Sequence, residues 1–245
     1  MMSFIRPKLW EIPQPNEVIL KSVECLRETL FERLREIASQ HTQIKFANSL
    51  AVEDMVITDA IVQSGVDIEI FTLETGKLNN ETLALTDEIR RFYPELTLQF
   101  YYPERESAEQ YQQEFGKYAF YDSVELRRKC CFIRKIEPLN RALKGADAWL
   151  TGQRREQSVT RTELEFHEYD TSRQMDKYNP IFDWSEQDVW AYILKYGIPY
   201  NALYKQGFPS IGCEPCTRPV KAEEDIRAGR WWWENKDSKE CGLHK

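Results

Sequence analysis

Apolar positions along this chain fall into two kinds of run. The short blocks Ile44–Ala47, Ile68–Leu73, Leu96–Tyr101 and Ala148–Thr151 have the length and density of buried strands. Between the first three lie helical patterns, Asp54–Gln63 closed by Gly65 and Leu78–Phe92 ended by Pro94. Upstream, Val18, Leu26, Leu30, Leu34 and Ile37 mark one side of an amphipathic helix, and Cys25 within it reads as a buried core thiol. Strands alternating with helices of this length predict βαβ units and an α/β fold with a mostly parallel sheet flanked by helices. Ligands of such sheets bind beyond the carboxyl ends of the strands.

Further along, Asp122 and Glu125 have capping-box spacing and predict a helix running through Cys130 and Cys131. Pro138 should kink or end it. Ser185 with Asp188 opens a helix over Glu186–Tyr196, stopped by Gly197 and Pro199. After about residue 205, Gly207, Pro209, Gly212, Pro215 and Pro219 predict irregular structure. Glu234–Lys245 is polar and lacks a core stripe. The expected organisation is a single domain over residues 1–245, with an α/β core at 16–204 and a C-terminal segment at 205–245.

A chain of 245 residues that is 42% hydrophobic can bury a sizeable core. Met1–Gln14 has no secretory apolar region and no run reaches membrane-spanning length, so a cytoplasmic protein without a membrane partner is expected. The net charge of −7 disfavours nucleic acid as a partner. The cations are nevertheless clumped: Arg127, Arg128, Lys129, Arg134 and Lys135; Arg154, Arg155 and Arg161; Arg218, Lys221, Arg227 and Arg230. One clump alone is ordinarily a solvated face. Three of them beside other unusual residues favour a small, multiply charged anion.

Five cysteines besides Cys25 need a chemical account, and a cytoplasmic chain argues against a disulfide framework. Cys213-x-x-Cys216 has chelate spacing, shared by zinc sites and redox dithiols. Adjacent helical side chains such as Cys130 and Cys131 diverge by ~100°. They reach poorly to one zinc ion, which needs its sulfurs within about 2.3 Å of a single point. A cubane offers several irons to divergent thiolates, and four cysteines match the ligand count of one 4Fe–4S cluster. A zinc knot, or two unrelated buried pairs, stands as the alternative.

Asn48–Asp54 follows a strand and opens a helix, where backbone amides can hold phosphate, although a plain helix cap fits equally. In Gly152–Ser158, the adjacent Arg154 and Arg155 suit bidentate anion recognition, against a surface salt-bridge cluster using Glu156. Trp231, Trp232 and Trp233 cannot share one helix face, so they either border a substrate path or pin a terminal helix. Cys241 lies in the polar tail, where a reactive thiol would be accessible and His244 and Lys239 could favour its thiolate.

Together these segments resemble the adenylyl-sulfate and phosphoadenylyl-sulfate reductase family, in its bacterial iron–sulfur form. The matching pieces are a modified PP-loop at Ser49–Asp54, Leu73-Glu74-Thr75-Gly76, the arginine loop Thr151–Arg161, the two cysteine pairs, Arg227–Trp233 and Glu240–His244. They extend from about Phe46 to the C-terminus. The resemblance implies an adenine nucleotide α-hydrolase-like, Rossmann-like fold. It implies that Ser49, Leu50, Glu53, Asp54, Leu73, Thr75, Gly76, Arg154, Arg155 and Arg161 hold adenosine 5′-phosphosulfate. Lys135, Arg227, Arg230 and His244 would surround its sulfate. Cys241 would attack the sulfur and expel AMP, and thioredoxin would then release sulfite, in sulfate assimilation and cysteine biosynthesis. One [4Fe-4S] cluster per chain would sit on Cys130, Cys131, Cys213 and Cys216, near Lys135, in a structural and electrostatic role. Ala51 stands where the family usually has glycine, and Glu74 where it has aspartate. The competing readings are a reductase of the 3′-phosphorylated nucleotide, a zinc-containing PP-loop RNA-modifying protein and a non-catalytic nucleotide sensor. Oligomeric state is left open, a homo-oligomer included.

Overall fold

The structure is a computed structural model that describes residues 7–157 and 163–235. Strands β1 (Ile44–Ala47), β2 (Glu69–Leu73), β3 (Leu98–Tyr101), β4 (Ala148–Leu150), β5 (His167–Asp170) and β6 (Met175–Tyr178) form one sheet in the order β3-β2-β1-β4-β6-β5. Every neighbouring pair is parallel except β5 with β6. The first four strands fall where the apolar blocks predict them, each within two residues of the expected bounds. The β5–β6 hairpin has no apolar alternation to announce it. Its strands read His-Glu-Tyr-Asp and Met-Asp-Lys-Tyr, as a partly solvated antiparallel edge allows.

Helix α1 (Glu17–Gln40) begins at Asn16, whose side chain accepts from the Ile19 amide. It buries Val23, Leu30, Phe31, Leu34 and Ile37. Cys25 is exposed, against the expectation of a core thiol, and so is Val18. Two positions from Val23, Cys25 has turned by ~200° and lies on the solvent side. Helix α2 (Val52–Ser64) is buried on every side from Val52 to Ile61, which places it inside the molecule. Its Asp59 accepts from Tyr93 and Tyr192, tying α2 to the end of α3 (Asn80–Phe92) and to α7 (Glu186–Tyr196). α7 carries the expected Ser185/Asp188 capping box and ends at Gly197 in the left-handed region.

Between β3 and β4 lie α4 (Arg105–Phe115), α5 (Val124–Cys131) and α6 (Glu137–Ala142). Ser123, not Asp122, caps α5, accepting from the Leu126 amide. Pro138 does not end the helical path. A π-helical turn over Phe132–Ile136 widens the backbone just before it, relieving the usual clash with the preceding turn, and α6 continues. No helix among the described residues is long and apolar enough to cross a membrane.

Beyond residue 201 the chain runs in short 3-10 turns and irregular stretches, as its prolines and glycines predict. It folds back on itself: Thr217 bridges Arg230, and the Trp231 amide donates to the Cys216 carbonyl. The Glu214 amide donates to the Lys77 carbonyl, securing the Cys213–Cys216 turn to the loop after β2.

Candidate active site

A cleft of about 230 Å³ opens at the carboxyl ends of β1, β2 and β4. Ser49, Glu53, Asp54, Leu73, Thr75, Lys135, Arg154, Arg227 and Arg230 line it; Leu50, Gly76 and Arg155 do not. Arg161, His244 and Cys241 lie outside the described residues.

The β1–α2 turn explains itself residue by residue. Leu50 takes the left-handed conformation, φ 64°, with its amide held by Asn48 Oδ1 at 2.6 Å and its side chain buried in the core. Ala51 has φ −79° and ψ 161°, ordinary extended backbone, so a glycine is not required there. No side chain caps α2; the Val52 amide is taken by the Tyr204 hydroxyl at 2.9 Å. Asp54 turns back to accept from the Ser49 amide at 2.6 Å and its hydroxyl at 2.5 Å. Burial pushes the Asp54 carboxyl up to about 7, with neighbouring Glu53 adding to the rise and the Ser49 and Gly152 donors opposing it. A Cβ at Gly152 would stand 2.0 Å from Asp54 Oδ1, so the close approach of the two loops requires glycine there.

Glu53 and Arg154 form a buried ion pair across the same gap. Arg154 Nη2 lies 2.8 Å and Nε 3.3 Å from Glu53 Oε1, and Gln157 Nε2 donates to the same oxygen at 2.9 Å. Burial alone would raise the Glu53 carboxyl, but Arg154 and Gln157 outweigh it and hold it below the ordinary range. The remaining donors of Arg154 reach Glu156 and the Trp184 carbonyl. Arg155 donates to the Leu164 carbonyl and Glu165 and lies over the Phe182 ring. The two guanidinium groups therefore diverge instead of forming a shared anion fork. Arg154 fastens one cleft loop to another, and Arg155 fastens the arginine loop to the segment before β5.

On the opposite wall, Arg230 donates to Ser210 Oγ and the Ile211 carbonyl and lies 4.8 Å from the Trp231 ring centre. Its guanidinium occupies the space that a Gly212 Cβ would need, with Nη2 at 2.6 Å. The three tryptophans diverge, as their adjacency requires: Trp231 is buried and lines the cleft, Trp232 is exposed, and Trp233 packs on Tyr121. Among the described residues, Gln153 Oε1 and Trp231 Nε1 are buried without a hydrogen-bond partner. Both residues line the cleft, where a polar ligand would satisfy them. Sequence reasoning singled out neither Gln153 nor Tyr204 for a role; Tyr204 carried no motif signal at all.

Behind this wall the four cysteines come together. Cys130, Cys131 and Cys213 are buried and Cys216 is partly so. Burial raises the Cys130 thiol, Cys213 raises it further, and Arg134 and Lys77 oppose the rise. Cys216 is pushed up to about 12 by burial and by Cys213 and Cys131, against Lys135 and Arg230. Thr75 Oγ1 is 3.4 Å from Cys213 Sγ, and Arg134 Nη1 donates to the Thr75 carbonyl at 2.7 Å. Among the described residues, no three His, Cys, Asp or Glu side chains converge on a single metal ion. An all-sulfur, buried donor set with cations around it suits a group that spreads its charge over several atoms, and the four thiols fit such a group.

Arg127 links this cluster of thiols to the chain beyond it. Fully buried, it donates to both carboxylate oxygens of Glu234 at 2.8 and 2.7 Å, bonds Cys131 and lies 4.7 Å from the Trp231 ring centre. Glu234, expected as the start of a polar tail without a core stripe, has its side chain buried in this pair.

The family model "Phosphoadenosine phosphosulfate reductase domain" matches residues 43–219, well over half of the chain. This chain belongs to that family. Within it, the chain is similar to an "Adenosine 5'-phosphosulfate reductase" of Neisseria meningitidis serogroup A, 62% identical over 244 residues and covering 100% of both chains. It is also similar to one of Burkholderia cepacia, 55% identical, covering 89% of this chain and 86% of that one. Among solved structures, a phosphoadenylyl-sulfate reductase from Candida auris in a phosphate complex superposes with a TM-score of 0.68 at 28% identity, over 85% of this chain and 100% of that one. The family's fold is the parallel sheet with flanking helices described above.

Proposed function

We propose that this chain reduces adenosine 5′-phosphosulfate to sulfite and AMP in sulfate assimilation and cysteine biosynthesis, with thioredoxin as the electron donor. The reading rests chiefly on one observation: the β1–α2 turn and the cationic residues Lys135, Arg227 and Arg230 line a single cleft. The relatives named for this nucleotide support it across the whole length of the chain. In this reading Ser49, Leu50, Glu53, Asp54, Leu73, Thr75, Gly76, Arg154, Arg155 and Arg161 form and brace the nucleotide end. Lys135, Arg227, Arg230 and His244 neutralise the sulfate so that a thiolate can approach it.

The Cys241 thiolate attacks the sulfate sulfur, the sulfur–oxygen bond to the phosphate breaks, and AMP leaves with the bonding pair. The chain then carries S-sulfocysteine at Cys241. A thioredoxin thiolate attacks Cys241 Sγ and expels sulfite; the second thioredoxin thiol resolves the mixed disulfide, so the dithiol supplies both electrons. Cys130, Cys131, Cys213 and Cys216 would hold one [4Fe-4S] cluster, which would tie α5 to the 213–216 turn and supply charge beside Lys135. Thiols kept reduced in this way suit the cytoplasm.

The test is sulfite formation by anaerobically purified protein with thioredoxin, from this nucleotide and from its 3′-phosphorylated form, alongside metal analysis. Turnover of the first substrate, lost in Cys241→Ser, and about four irons per chain support the proposal. Preference for the 3′-phosphorylated nucleotide, or stoichiometric zinc in fresh protein, would overturn the substrate or the cofactor respectively.

A further inference from the structure

Three aromatic rings stand exposed together where the described chain ends. Tyr118 is 56% exposed, Tyr121 38% and Trp232 48%. Tyr121 lies 6.5 Å from Trp232 and 4.5 Å from Trp233 between ring centres, and buried Phe120 connects Tyr118 at 6.1 Å with Tyr121 at 4.7 Å. Scattered surface aromatics need no explanation, whereas contiguous ones mark a surface that another molecule covers. The patch is also fixed in place: the Tyr121 hydroxyl donates to the Pro215 carbonyl at 2.7 Å, within the Cys213–Cys216 turn.

Chain length says what must come close to it. Asn235, three residues past Trp232, is the last described residue, and Cys241 follows six residues later. Six residues span at most ~20 Å. Any protein whose thiolate reaches Cys241 Sγ therefore comes within roughly 20 Å of Asn235. A folded domain is wider than that, so the surface around Trp232 is within its reach. Resting on the function proposed above, we infer that Tyr118, Tyr121 and Trp232 form the docking surface for the protein dithiol that reduces S-sulfonated Cys241. The partner's complementary face is apolar and surrounds its nucleophilic thiol. Docking aligns that thiolate with Cys241 Sγ; sulfite departs with the electron pair of the broken sulfur–sulfur bond, and the partner leaves as a disulfide.

The experiment uses the full chain with Tyr118→Ser, Trp232→Ser and the double variant, each checked for wild-type iron content and thermal transition. Nucleotide alone loads Cys241, read by intact mass and peptide mapping, and release of sulfite is then timed with thioredoxin and, separately, with dithiothreitol. The expected result is normal loading, normal release by dithiothreitol, and a KM for thioredoxin raised about 10-fold or more in the double variant, as for loss of interface aromatics. An unchanged thioredoxin KM with normal loading overturns the docking surface and leaves the proposed reaction standing. The same holds if the variants alter only the sedimentation of the chain, which would assign the patch to a second copy of itself. Failure of the wild-type chain to load Cys241 overturns the reaction, and the docking surface with it. If the double variant does not fold, the single Tyr118→Ser variant, at the most exposed of the three positions, decides the question on the same readouts.

Discussion

Replacing Glu53 by Gln is expected to destabilise the protein far more than a surface change would. The Arg154 side chain is 2% exposed and that of Glu53 12%, so the substitution leaves a guanidinium in the interior facing a neutral amide. Breaking a buried pair from one side costs about 3–5 kcal/mol. Gln retains one acceptor oxygen for Arg154, and Glu156 lies 3.3 Å from Arg154 Nη1, which favours the lower end, about 3 kcal/mol. For a chain of this size that corresponds to a Tm roughly 6–12 °C lower. Arg154→Met should cost a similar amount, because it leaves the Glu53 carboxylate buried beside Asp54. The double variant should be markedly more stable than the sum of the two losses implies, since it removes both charges. The pH dependence has a definite sign. The folded-state Glu53 carboxyl lies below its ordinary 4.5, so the pair's contribution is complete above pH 4.5 and disappears as pH falls through the lower folded value. Thermal melts of the four proteins, recorded from pH 8 down to about pH 3 under anaerobic conditions, provide the measurement. Single variants within about 1 kcal/mol of wild type, or losses that simply add, would refute a buried, mutually dependent pair.

Asp54 should show the opposite pH dependence. Its folded value, about 7, exceeds the ordinary 3.8, so the native state holds the extra proton between them and stability falls as pH rises from 3.8 to about 7. That shift is worth on the order of 4 kcal/mol. Urea midpoints of Asp54→Asn should lack this downward slope, and a wild-type slope in the variant would contradict the assignment. Gly152→Ala drives a methyl group into Asp54 Oδ1 and should cost about 1–3 kcal/mol and weaken nucleotide binding, followed by calorimetry; unaltered affinity would mean that the loops tolerate separation. Arg227→Ala and Arg230→Ala should each lower kcat/KM by about 1.5–3 kcal/mol, the value of a hydrogen bond to a charged group. Unchanged kinetics in both would remove them from the substrate site.

Legibility in the sequence followed apolar density, which burial only partly tracks: β3, an edge strand without a fully buried residue, was still legible. β1, β2 and β4 are covered on both faces, so their apolar blocks stand out; β5, at the edge, and α4, which buries only Ala108 and Tyr111, offer no comparable signal. The two cysteine pairs stood out because each is local in sequence, one adjacent and one at chelate spacing, and the fold brings the four near one another. The fate of Arg154 was not legible. Two adjacent arginines look the same in sequence whether they await an anion or already hold a carboxylate, and the carboxylate that Arg154 holds comes from 101 residues upstream. Glu234 misled for a related reason: a polar residue in a polar stretch gives no hint that a buried arginine 107 residues away requires it.

The cysteine helix shows how one local irregularity assembles the site. Arg127, Cys130, Cys131 and Arg134 recur at three- and four-residue intervals and therefore share one face of a helix. On that face Arg127 reaches Glu234 and Arg134 reaches the Thr75 carbonyl, while Cys130 and Cys131 meet the field of Cys213 and Cys216. Lys135, four residues after Cys131, continues the same side of the helix. The π turn over Phe132–Ile136 widens the backbone at that point, and Lys135 lines the cleft. Pro138, immediately downstream, makes a regular helix costly there and the wide turn cheaper. A proline that reads in sequence as a terminator is thus accommodated by a wide turn, and one short helical segment braces the thiols, holds the loop after β2, anchors the chain leading to Cys241 and presents a cation to the cleft.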